Sequence, residues 1–183
     1  MSIFGGPKLS DMKRILFLLL LLFSIAWMHA QNTYWSELSD SGKRAILSHP
    51  RISEAIKEFY FGHRSAGNFI SEDALMGTLS KADSIQLPFY FEVFRSRIPA
   101  YRDSIDKASF TVHVMNMLYY HPAYVAGYLR KYEDPALRQL FRESMEYAFG
   151  KMSFLYPDKS EFRRQLLQKA GPRNKKVIEE LLE

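Results

Sequence analysis

Apolar positions recur at helical spacing through most of the chain, and caps and breakers divide that pattern into short pieces. In EDPALRQLFRESMEYAFGKM, residues 133 to 152, the side chains Leu137, Leu140, Phe141, Met145, Ala148 and Phe149 share one helical face. Asp134 stands at the N-cap position there and Pro135 at the first helical position. DKSEFRRQLLQKAGP offers Asp158 as a cap with Glu161 three residues later, turns Phe162, Leu166 and Leu167 inward, and stops at Gly171 and Pro172. NKKVIEELLE adds a short terminal helix behind Asn174. Upstream, HPRISEAIKEFYFG predicts a helix from Pro50 to Gly62 that buries Ile52, Ile56, Phe59 and Tyr60. A short helix follows Ser71. From Pro88, the residues Phe91, Phe94, Ile98 and Tyr101 keep helical spacing, with Pro99 as a kink or break.

Short connections of this kind pack neighbouring helices antiparallel, so the expected fold is all-α. It is one domain of about seven or eight short helices in an irregular bundle or a short α-solenoid. Two stretches resist that reading. FYFEVF (89–94) and SFTVHVM (109–115) alternate and are aromatic or β-branched, which leaves an α+β fold with a small sheet as the alternative. A longer window favours helix for both, since Phe110, Val114, Met117 and Leu118 also share a helical face.

The most regular pattern is YYHPAYVAGYLRKY, residues 119 to 132, with tyrosines four apart. Pro122 disfavours helical geometry at His121, so a boundary is expected there and the stripe on one helix reduces to Tyr124, Tyr128 and Tyr132. With Val125 and Leu129 beside them, these make an apolar face of ordinary width. Such a face packs into the core, its hydroxyls reaching the rim, or lies partly open as a groove floor, a use tyrosine suits by its large contact area. Gly127 within the stripe would let another chain segment approach the backbone closely.

The N-terminus changes the expected compartment. MKRILFLLLLLFSIAWMHAQ, residues 12 to 31, sets Lys13 and Arg14 before an apolar run from Ile15 to Ile25 and small residues at Ala26 and Ala30. That order predicts a signal peptide over residues 1–30, with Met12 as a candidate true start and cleavage after Ala26 or Ala30. The run is short for a bilayer span, so no stable membrane insertion is expected after cleavage. Residues 31–183 then form the single α-helical domain, periplasmic or secreted. The whole chain carries a net charge of +5, and loss of Lys8, Asp11, Lys13 and Arg14 leaves +3, too little to imply nucleic acid as a partner. There is no cysteine, so stability rests on burial and no lipid anchor can attach at a cysteine.

Candidate chemistry is sparse. His49, His63, His113 and His121 show no metal-ligand spacing, so neither a metal nor a cofactor is expected. Glu92 sits among Phe89, Tyr90, Phe91 and Phe94, where desolvation could prepare a general acid, although a solvent-facing position on an amphipathic helix accounts for it as well. Ser104 and Lys107 make an SxxK pair without its companion motifs, and Asp106 beside them reads equally as a helix cap. The leading expectation is an exported, non-enzymatic protein-binding or ligand-binding domain of the inhibitor, immunity or adaptor kind. It would contact another exported or envelope protein through Tyr124, Tyr128 and Tyr132. The alternative is a small wall-active hydrolase using Glu92 or Ser104 with Lys107.

Overall fold

The structure, a computed structural model, describes residues 33–63, 69–101 and 106–183. The signal peptide expected over residues 1–30 and the candidate nucleophile Ser104 lie outside the described residues. A compact unit spans Tyr34–Glu183, and the hydrophobic core among its described residues is contiguous.

The described residues are helical, with no strand among them. After a 3-10 turn at Trp35–Glu37 come α1 (Asp40–Leu47), α2 (Glu54–Phe61), α3 (Phe69–Ser80) and α4 (Leu87–Tyr101). There follow α5 (Lys107–Tyr120), α6 (Pro122–Tyr132), α7 (Pro135–Lys151), α8 (Lys159–Ala170) and, after a second 3-10 turn at Pro172–Asn174, α9 (Lys175–Leu182). The all-α fold is as expected, with nine α-helices among the described residues rather than seven or eight. The unforeseen one is α1, whose first five residues are polar or glycine and whose side chains are nowhere fully buried.

Local chemistry sets most boundaries. Asp106 accepts hydrogen bonds from the amides of Ala108 and Ser109, Asp134 from Leu137 and Asp158 from Glu161, each cap contributing about 1 kcal/mol. Gly62 closes α2 in the left-handed region at φ 78°, as its position after the last apolar residue predicts. Four expected details differ. Helix α2 starts at Glu54, because Pro50 belongs to a turn in which the Ile52 amide returns to the His49 carbonyl. Asn174 stands at the N-cap position of α9 but makes no side-chain cap bond; its side-chain amide donates to the carbonyls of Ala123 and Ala170 and ties the α8–α9 corner to α6. Glu161 does not close a capping box but pairs with Arg164, which holds its carboxyl down at about 2. Helix α4 runs unbroken through Pro99.

The two segments with strand-like alternation are deeply enclosed helices. In α4, Phe89, Tyr90, Phe91, Val93 and Phe94 are all buried, and α5 buries Phe110, Thr111, His113, Val114, Met115, Met117 and Leu118. Helix α4 packs against α2, α3 and the first 3-10 turn, while α5 packs against α3, α6 and α7. A helix covered on several sides has no polar face, so its sequence loses the 3.6-residue signature and the sheet alternative has no counterpart in the fold. Phe94 stacks on Phe91 and on Phe141, at centroid distances of 6.4 and 6.2 Å, and so joins α4 to α7. The remaining helices form a second cluster in which α6, α8 and α9 pack on one another and α9 also meets α7. No helix among the described residues is long and apolar enough to cross a membrane.

Candidate functional site

The tyrosine face lies inside the fold. Six consecutive residues of α6, Tyr124 to Leu129, are buried, so the helix has no solvent side along that stretch. Tyr124 is 4 % exposed and Tyr128 8 %, while Tyr132, one turn later, reaches the rim at 37 %. As a correction to the groove reading, the first two side chains are core. The cover is the segment just before α1. Tyr34 lays its ring edgewise on Tyr124, Tyr128 and Tyr132, at centroid distances of 4.8, 5.3 and 5.7 Å. Phe91 closes the other side of Tyr124 and Tyr128 at 5.2 and 5.1 Å.

The Tyr34 hydroxyl donates to the Tyr124 carbonyl at 3.3 Å and stands directly over Gly127, where an added Cβ would lie 2.6 Å from it. The glycine is therefore spent on the protein's own strap. Trp35 extends the strap onto Phe89 at 5.0 Å. Glu37 anchors its far end, accepting from Lys131, from the Tyr132 hydroxyl at 2.7 Å and from the Tyr34 amide at 3.2 Å. Burial pushes the Tyr34 and Tyr124 hydroxyls well above the ordinary phenol range, so both remain protonated donors.

Desolvation would raise the Glu37 carboxyl, but the hydrogen bonds from Lys131, Tyr132 and the Tyr34 amide outweigh it and hold the group below its ordinary 4.5. A folded pKa below the unfolded one adds stability above that pH, and the contribution disappears as pH falls below it. Melting temperatures of the native chain and of Glu37→Gln should accordingly differ near neutrality and converge below pH 4.5. A gap that persists unchanged in acid would contradict this role.

Of the candidate catalytic groups, Glu92 and Lys107 fall among the described residues, and each is engaged locally. Glu92 is tied to Arg95 by two hydrogen bonds of 2.9 and 3.2 Å, and Arg95 in turn lies 6.0 Å over the Tyr128 ring. Desolvation opposes the Arg95 charge, yet the Glu92 pairing prevails and raises its pKa. Glu92 thus neutralises a half-buried guanidinium beside the tyrosine face. Lys107 is exposed at the start of α5, its ammonium 4.7 Å over the Tyr147 ring. Asp106 is committed to the α5 amides, in line with the capping alternative. Among the described residues no cluster of three histidines or carboxylates could hold a metal.

A different concavity is available. Helix α7, the start of α8 and the end of α9 border an open cleft of about 650 Å³, within the range of about 300–1,000 Å³ common for ligand sites. Met145, Leu181 and Leu182, all at most 6 % exposed, form its floor with half-buried Phe149. Its rim carries both signs of charge, Arg142 and Lys159 against Glu146 and Glu183. Arg142 is held in place by donating to the Glu180 carbonyl, and Lys159 lies 5.9 Å over the Phe149 ring. Gly150 opens one wall, since a Cβ there would meet nothing within 4 Å. Sequence reading missed this site because its parts lie at 142–150, 159 and 181–183, and only the fold makes them neighbours. Compared with known families, with characterised proteins and with solved structures, the chain matches none.

Proposed function

We propose that the chain is an exported, non-enzymatic binding protein that takes a short peptide segment of a partner protein in the cleft between α7, α8 and α9. The observation that carries this reading is an apolar floor of Met145, Phe149, Leu181 and Leu182 under a rim of both charge signs. Such a site complements one large apolar side chain flanked by basic and acidic residues, and a cleft open to solvent admits a continuing chain. Tyr34 covers the tyrosine face, the first surface the sequence suggests, which favours the cleft as the contact surface. Export is supported by the order of basic, apolar and small residues between Lys13 and Ala30.

Peptide display against residues 31–183 tests the reading. Enriched sequences should carry a single large apolar residue between charges. Their affinity should fall by about tenfold or more in Gly150→Leu, because Gly150 lines the cleft and a bulky side chain there would compete for its space. The same substitution should not lower the melting temperature, since leucine exceeds glycine in helix propensity by up to about 1 kcal/mol. No enrichment, or unchanged affinity in Gly150→Leu, would rule the cleft out.

A further inference from the structure

The turn between α7 and α8 exposes two adjacent large apolar side chains. Phe154 is 78 % exposed and Leu155 52 %, the two adjacent apolar side chains most open among the described residues. The turn is braced on both shoulders. Met152 is buried, and its carbonyl accepts from the amides of Leu155 at 2.9 Å and Tyr156 at 3.1 Å. Tyr156 packs against Phe149 and Phe162 at 6.2 and 6.3 Å. Phe154 and Leu155 are thus held outward at an apex.

We infer that this apex is a peripheral membrane contact that inserts Phe154 and Leu155 into the headgroup region of an anionic lipid surface. Charge supports that occupant. Lys151 and Lys159 flank the turn and are exposed, and exposed Lys107 begins the helix whose Ala108 and Ser109 line the small hollow beside Phe154. The nearby carboxylates, Asp106 and Asp158, are turned onto helix amides. Size supports it as well. A stable protein interface buries about 800 Å² on each side, whereas a whole phenylalanine offers at most about 250 Å². A bilayer needs no such continuous patch, because each inserted side chain gains separately and each lysine near an anionic surface adds roughly fivefold in affinity.

Residues 31–183 should co-sediment with phosphatidylglycerol-containing vesicles, and less with pure phosphatidylcholine. Replacing both apex residues, Phe154→Ala with Leu155→Ala, should lower partitioning by about tenfold or more and leave the melting temperature unchanged, since both side chains are exposed. Phe154→Trp should give a blue-shifted emission on adding the anionic vesicles, over a constant background from buried Trp35. Equal partitioning of the double variant, or no shift for the tryptophan, would overturn the inference. So would a lipid-free dimer in sedimentation velocity that the double variant dissolves, because the apex would then seat in the hollow lined by Ala108, Val112 and Met152 of a second copy.

Discussion

Truncating Tyr34 to alanine is expected to lower the unfolding free energy by about 3–5 kcal/mol, the range for removing a large aromatic side chain from a core. Although Tyr34 is the first residue of the compact unit, it is 4 % exposed and meets three other rings edge to face. Its loss uncovers Tyr124 and Tyr128, leaves Trp35 and Glu37 to hold the strap, and should reduce the melting temperature by roughly 10 °C. Tyr34→Phe keeps the packing and removes only the 3.3 Å bond to the Tyr124 carbonyl, a loss of about 1 kcal/mol. Chemical denaturation of the three proteins measures both steps. An alanine variant as stable as the phenylalanine variant would mean that the strap is not part of the core.

The second large effect changes sign with its background. Gly127→Ala should destabilise the native chain by about 1–3 kcal/mol, because the new methyl would stand 2.6 Å from the hydroxyl of Tyr34, whose ring is packed against Tyr124, Tyr128 and Tyr132. In a Tyr34→Phe background the hydroxyl is gone and the next ring atom lies 3.9 Å away, an ordinary contact. There the same substitution should stabilise by up to about 1 kcal/mol, the helix-propensity difference between alanine and glycine. The double-mutant cycle thus carries a coupling of about 2 kcal/mol or more if the strap is seated as described. Additivity would contradict that seating.

What was legible in the sequence was local. Asp134, Asp158 and Asp106 act within three residues of themselves, and Gly62 and Gly171 take up positive φ where their own backbone needs it, so their roles follow from spacing alone. Helix α4 was harder to read because enclosure removes the polar face that marks a helix, leaving FYFEVF to look like a strand. The tyrosine stripe was visible as a face but not as an occupied one. Its occupant lies some 90 residues away, and TYWSEL carries no pattern that points to Tyr124. The cleft was illegible for the same reason: Met145, Lys159 and Leu181 are unremarkable residues on three helices until those helices pack.

The most direct test of the binding proposal is a heteronuclear NMR titration of residues 31–183 with a peptide enriched by display. The expected perturbations centre on Met145, Phe149, Gly150, Leu181 and Leu182, with Tyr124, Tyr128 and the strap unmoved. Perturbations centred on Tyr34, Tyr124 and Tyr128, with the cleft silent, would mean that the strap gives way to the ligand and that the tyrosine face is the binding surface.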